Sequence, residues 1–133
     1  MQRFIIVAFA AAALLFAGPS AAWAGNPHFV GASAIVSDGT LTVSGKIAGL
    51  GNEPEVEVQI SATAECVNNG GKNPNASNKT SVFAEGVFTV QNGKAVFSLT
   101  TTASFQPNCS PPMTVEFSDI TVTDLTSGIS KNL

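Results

Sequence analysis

The stretch from Glu55 to Cys66 alternates apolar and polar residues without a break. One set of alternate positions is apolar and holds Val56, Val58, Ile60, Ala62, Ala64 and Cys66. A strand with one face buried and the other in water produces this period of two, whereas a helix would scatter the same residues around its circumference. The pattern therefore predicts a strand over residues 55–66 and places Cys66 on its buried face.

Five further segments show the same period with weaker contrast, over residues 28–36, 40–48, 80–90, 95–101 and 113–125. Asp38-Gly39 separates the first two of these segments and Asn92-Gly93 the next two, and both dipeptides favour tight hairpin turns. In the last segment the apolar positions slip by one residue near Ser118-Asp119, which predicts a β-bulge. No segment has the period of an amphipathic helix.

Six or seven strands in about 100 residues, joined by turn residues, predict an all-β fold. We expect a two-sheet antiparallel β-sandwich with immunoglobulin-like topology, and another sandwich or a small barrel is the alternative. Antibody-type domains pack a Trp against their disulfide. Residues 25–133 contain no Trp, so any likeness to those domains is architectural only.

The first 24 residues combine the parts of a cleavable secretory signal. Arg3 supplies a positive charge, and an uncharged apolar run of 14 residues follows from Phe4 to Ala17. This run is shorter than the ~20 residues of a membrane-spanning helix, which favours a signal peptide over an anchor. Small residues predict cleavage between Ala24 and Gly25, with cleavage after Ala22 as the alternative. We therefore expect a signal peptide over 1–24 and a single domain over 25–133, secreted or associated with the cell envelope.

Export would place the only two cysteines, Cys66 and Cys109, in an oxidising compartment. A disulfide between them is the economical expectation, and two free thiols are the alternative. The bond would tie the loop over 102–112 to the strand end that opens the Asn-rich segment 68–79. Both loops are therefore expected at one end of the sandwich.

The composition of residues 25–133 argues against several functions. Five lysines stand against nine acidic residues without any arginine, a net charge of −4 with His28 neutral. Such a surface is a poor match for nucleic acid or anionic membranes. One histidine without a Gly-x-Ser-x-Gly motif does not supply a hydrolytic triad, and one histidine with two bridged cysteines does not supply a zinc site. We expect no catalytic residue, no metal and no cofactor.

Two ligand classes stay open, namely calcium and sugars. Calcium is the first, because Glu116, Asp119 and Asp124 lie near the expected bulge and Glu53, Glu55 and Glu57 lie close together in sequence, although no Asp-rich calcium loop accompanies them. Sugar-binding sites usually stack the ligand on Trp or Tyr, and residues 25–133 contain neither. The Asn-rich segment can still hydrogen-bond a polar ligand.

That segment is the candidate binding loop, because long loops on a rigid scaffold concentrate recognition residues. Its candidate residues are Asn68, Asn69, Lys72, Asn73, Asn75, Asn78 and Lys79. A solvated connector is the alternative interpretation. The sequence thus predicts an exported, non-enzymatic binding, adhesion or envelope-associated module whose partner is a protein or a polar extracellular ligand. A self-assembling structural protein is the runner-up, and an unrecognised hydrolase is a weaker alternative.

Five short motifs give the chain a family resemblance. They are Asn-Pro-His-Phe at 26–29, Glu-Cys-Val-Asn-x-Gly-Gly-Lys-Asn-Pro at 65–74, Ser-Asn-Lys at 77–79, Cys-Ser-Pro at 109–111 and Thr-Val-Thr-Asp-x-Thr-Ser-Gly at 121–128. With these motifs the chain resembles a group of small exported bacterial proteins of unknown function, found for instance in actinobacteria. The resemblance implies an exported, cysteine-bridged β domain and carries over no catalytic residue.

Overall fold

The computed structural model describes residues 25–68 and 78–133, and their regular elements are seven strands. The strands are β1 (His28–Ser37), β2 (Thr40–Ala48), β3 (Glu55–Val67), β4 (Lys79–Thr89), β5 (Ala95–Thr102), β6 (Thr114–Asp124) and β7 (Ile129–Asn132). No α-helix occurs among the described residues, and the all-β prediction is confirmed. The expected signal peptide, residues 1–24, lies outside the described residues.

The strands form two antiparallel sheets that pack through their apolar faces. Sheet A has the order β1-β2-β5, and sheet B has the order β4-β3-β6-β7. The core between them is built mainly by Leu41, Val43, Ile47, Val56, Val58, Ile60, Phe97 and Val122. The alternation over 55–66 is confirmed, because every apolar residue in it is buried while Glu55 and Glu57 are exposed.

Asn92-Gly93 forms a tight turn, but the hairpin predicted around it is wrong. Asn92 and Gly93 have φ angles of 55° and 75°, and Gln91 and Lys94 bridge the turn. Yet β4 pairs with β3 in sheet B, while β5 pairs with β2 in sheet A. The turn is determined by Asn92 and Gly93 themselves. The strand pairing is determined by burial instead, because β4 and β5 bury their apolar faces against each other across the core.

The predicted β-bulge in β6 is confirmed. Ser61 pairs with Thr121 and Thr63 with Ser118, so β6 contains one extra residue, and Asp119 there has a φ of 51°. The extra residue keeps Phe117 and Val122 on the core side of the strand. A second bulge, which the sequence did not predict, interrupts β1 between Val30 and Ser33.

Gly49, just after β2, holds the first described residues close to the sandwich. Its φ is 75°, and a Cβ at this position would overlap the carbonyl oxygen of Asn26. We expect Gly49→Ala to lower the free energy of unfolding by about 2–3 kcal/mol, because left-handed strain adds to the displacement of residues 25–27. Urea denaturation measures the loss.

Gly128→Ala is the matched control for this substitution. Gly128 has a φ of 78°, but nothing lies within 4 Å of an added Cβ. Only the cost of the left-handed conformation remains, so Gly128→Ala should lower the free energy of unfolding by about 1 kcal/mol. Equal losses in the two variants would mean that the contact of Gly49 with residues 25–27 contributes nothing.

Candidate functional site

The predicted disulfide is present between the end of β3 and the loop from β5 to β6. Cys66 and Cys109 are separated by 43 residues, with an S–S distance of 2.05 Å and a Cα–Cα distance of 5.7 Å. Cys66 is the partner of Val115 in the pairing of β3 with β6. The bond therefore holds the loop over 103–113 at the end of sheet B, joining a strand to a loop rather than one sheet to the other.

Further contacts fix the same loop. At its start, the backbone N–H of Ala103 donates to the carbonyl oxygen of Gly39 at 3.1 Å, and Phe105 is buried in the core. At its end, the Sδ of Met113 lies 3.8 Å from the Sγ of Cys66. Because a bridged cysteine has no thiol proton to donate, this is a packing contact between sulfur atoms. The loop is therefore anchored to both sheets.

A cavity of about 350 Å³ opens at this end of the sandwich. Its lining consists of Asp38, Gly39, Cys109, Pro111, Met113, Thr114 and Val115. The β1–β2 turn forms one wall, and the disulfide loop with the start of β6 forms the other. Asp38 is the one charged residue among the described residues of this lining. A cavity of mixed polar and apolar lining, with one carboxylate among its described residues, can bind an apolar group that carries a hydrogen-bond donor or a positive charge.

The described ends of the candidate binding loop lie next to the disulfide. Asn68 directly follows β3, and Asn78 directly precedes β4. Lys79 is the first residue of β4 and pairs with Glu65. The loop thus leaves and re-enters sheet B at the disulfide end, as predicted. Its other candidate residues, Asn69, Lys72, Asn73 and Asn75, lie outside the described residues.

The acidic residues grouped by the sequence do not converge. Glu116 is exposed on the outer face of sheet B, directly opposite Glu65, whereas Asp124 lies on the core side of β6 and is fully buried. Glu55 and Glu57 are exposed on β3, and Glu53 precedes that strand. Within residues 25–68 and 78–133, no group of three or more His, Cys, Asp or Glu residues is placed to hold a metal ion.

Asp124 closes the turn between β6 and β7. Its Oδ1 accepts a hydrogen bond from the backbone N–H of Ser127 at 2.9 Å, and the N–H of Gly128 donates to its carbonyl oxygen at 2.8 Å. Its Oδ2 is buried without a hydrogen-bond partner. Grouping Asp124 with Glu116 by sequence misses this role, although Asp-x-x-Ser-Gly is an arrangement in which a side chain commonly caps a turn.

His28 lies at the opposite end of the sandwich from the cavity. It is exposed, and its Nδ1 donates to the carbonyl oxygen of Asn26 at 2.7 Å, because that oxygen can only accept. His28 pairs with Ala48, next to the turns at 49–54 and 90–94 that hydrogen-bond to each other. The histidine and the cavity carboxylate therefore lie at different ends of the molecule.

The outer faces of the two sheets differ in charge. On sheet A, cross-strand hydroxyl contacts join Thr40 to Thr102 at 3.1 Å and Thr42 to Thr100 at 3.2 Å, and Lys46 is the one charged strand residue of that face. The outer face of sheet B carries Glu55, Glu57, Glu65, Glu85 and Glu116, together with exposed Phe83 and Val87. The acidic surface is therefore concentrated on sheet B.

Among the described residues, no helix has the length and apolar character needed to cross a membrane. Comparisons with protein-family models, with curated proteins and with solved structures found no match. The candidate site is therefore defined by the residues and contacts of this chain alone.

Proposed function

We propose that the chain is an exported, non-enzymatic binding module whose binding surface is the disulfide end of the sandwich. The observation that carries the proposal is the cavity of about 350 Å³ between the Asp38-Gly39 turn and the disulfide loop. Three connections of the chain meet at that end: the β1–β2 turn, the loop over 103–113 and the described ends of segment 68–78. Loops held by a rigid scaffold are the usual place for recognition residues.

The export part of the proposal is supported by the leader over residues 1–24 and by the disulfide. Disulfides persist in oxidising compartments and are rare where thiols are kept reduced. Within this proposal the mature protein begins at Gly25, after cleavage behind Ala24, and works outside the cell or at its envelope.

The finer topology that we propose is immunoglobulin-like with one strand switched. In constant-type immunoglobulin domains the first, second, fifth and fourth strands form one sheet, and the third, sixth and seventh form the other. Here β4 pairs with β3, so the orders are β1-β2-β5 and β4-β3-β6-β7. The remaining strand neighbours are the same.

The partner class that the site supports is a protein or a polar extracellular ligand. The cavity volume is at the small end of the range of about 300–1,000 Å³ for sites that enclose a whole small molecule. It suits one side chain or one chemical group of a larger partner that also covers the surrounding loops. The runner-up function is a structural protein that assembles through its sheet edges, and the unpaired edge of β4 favours it.

Capture of a partner by the immobilised exported protein tests the binding site. We expect Asp38→Asn to weaken capture about tenfold, because it removes the cavity charge while Asn tolerates the left-handed turn conformation. Replacing residues 68–78 by a short Gly-Ser linker should abolish capture while leaving β4 complete. Binding is measured against dilutions of the culture fluid of the producing organism.

Glu53→Gln is the matched control, an acid-to-amide change beside a cavity at the opposite end of the sandwich. It should leave capture unchanged. Equal weakening by Glu53→Gln and Asp38→Asn, or full capture after the loop replacement, would contradict a binding surface at the disulfide end.

A further inference from the structure

Four of the described strands lie at sheet edges, and two of these edges are interrupted or blunted. β1 contains a bulge where Gly31 has a φ of 65°, and β7 is only four residues long, with Lys131 on the same face as buried Val122. β5 is regular but has no charged residue that could set a pairing register. The edge of β4 differs from these three.

β4 is long, regular and open on one side. It pairs with β3 through eleven consecutive residues without a register shift, and no described strand is hydrogen-bonded to its other edge. Such an edge offers a row of unpaired backbone N–H and C=O groups to another strand. Its outer face also carries Phe83, which is 65 % exposed.

The side chains of β4 are arranged so that the strand complements itself. Lys79 and Glu85 point to the same outer face and lie three residues before and three residues after Val82. We propose that β4 pairs antiparallel with β4 of a second copy of this chain, about a two-fold axis at Val82. Lys79 of each copy then lies directly opposite Glu85 of the other copy, and Ser81 lies opposite Phe83.

Neighbouring registers lack this match. Centring the pairing on Phe83 places Lys79 opposite Val87, and centring it on Glu85 places two glutamates face to face. Directly opposed unlike charges stabilise a sheet, whereas like charges in that position destabilise it. In the Val82 register the two Phe83 rings are also diagonal neighbours, a separation that aromatic side chains can span.

The pairing would join the two copies of sheet B into one eight-stranded sheet. Because a two-fold contact uses the same surface on both subunits, it closes on itself and stops at the dimer. The inference therefore goes beyond the proposed binding function, and the paired edge adjoins the binding surface at the disulfide end, where β4 begins with Lys79. Because it closes at two copies, this dimer differs from the open-ended assembly expected of a structural protein.

Charge reversal with mixing tests the register. The protein is expressed as the full chain, purified from the compartment in which it accumulates, and examined by sedimentation over a range of concentrations. We expect a monomer–dimer equilibrium. Lys79→Glu and Glu85→Lys should each weaken dimerisation about tenfold or more, because each variant creates two pairs of like charges.

An equimolar mixture of the two variants should restore dimers. The glutamate introduced in one chain then faces the lysine introduced in the other, and the unaltered Glu85 faces the unaltered Lys79. Restoration also shows that both variants are folded. Lys46→Glu on sheet A and Glu116→Lys on β6 are controls that should dimerise like the unaltered protein. A protein that stays monomeric at all concentrations would overturn the proposal, and so would larger open assemblies or dimers indifferent to both reversals.

Discussion

Replacing both cysteines by serine is expected to lower the free energy of unfolding by about 4 kcal/mol. The bond between Cys66 and Cys109 closes a segment of 43 residues, and releasing that segment increases the conformational entropy of the unfolded chain. The folded state loses the anchor of the loop over 103–113 as well, since Met113 packs on the bridge. Urea denaturation of the double variant, compared with the unaltered protein, measures the loss.

The unaltered protein unfolded in the presence of a reductant is the control for this prediction. It should show a similar loss, because it lacks the same covalent link without any change of sequence. A double variant as stable as the oxidised protein would mean that the loop is held by its other contacts, the Ala103–Gly39 hydrogen bond and the buried Phe105.

Phe97→Ala is expected to lower the free energy of unfolding by about 3–5 kcal/mol, the range for removing a buried aromatic side chain. Phe97 is 1 % exposed at the centre of the core. Its ring meets those of Phe29 at 6.2 Å and Phe88 at 6.3 Å, both edge to face, so it links β1, β4 and β5. Thermal and urea unfolding of the variant measure the loss.

Val96→Ala is the matched control on the same strand, one residue away and on the opposite face. Val96 is 68 % exposed, and surface substitutions of this kind usually change stability by less than about 0.5 kcal/mol. Similar losses in the two variants would contradict the assignment of the core between the sheets. Because small domains have only about 5–15 kcal/mol of stability, the Phe97 variant should unfold at clearly lower urea concentration.

Features of the fold that depend on local chemistry could be predicted from the sequence. The alternation over 55–66 predicts β3 because a half-buried strand needs that period. The slip near Ser118-Asp119 predicts the bulge because one extra residue is the simplest way to keep both apolar sets inward. Asp38-Gly39 predicts its hairpin correctly because β1 and β2 are neighbours in sheet A.

Features that depend on distant partners could not be predicted in the same way. Asn92-Gly93 makes its turn, but whether the next strand continues in the same sheet is decided by the core that β4 and β5 share. β7 has too few residues to show a period, and its pairing with β6 follows from the turn that Asp124 closes.

The candidate site could be predicted in part. Cysteine count and the position of Cys66 on the buried face predict the disulfide and bring two loops to one end. The sequence identifies Asp38 only as a turn residue, because nothing in its neighbourhood along the chain indicates that Pro111 and Met113 complete a cavity around it. Grouping Glu116 with Asp124 by sequence distance fails because the extra residue of the bulge puts them on opposite faces of β6, although an even number of positions separates them.

The antiparallel run of β1 also decides how the protein can be attached to a surface. His28 begins this strand beside Ala48, and Ser37 ends it beside Thr40, near the cavity. Ten residues of strand span about 30 Å, so residues 25–27, which precede β1, and the cavity lie at opposite ends of the molecule. A bead, dye or cell-surface tether joined at Gly25, where the proposed mature protein begins, leaves the cavity facing the solution. An attachment through the loop over 103–113 would cover it.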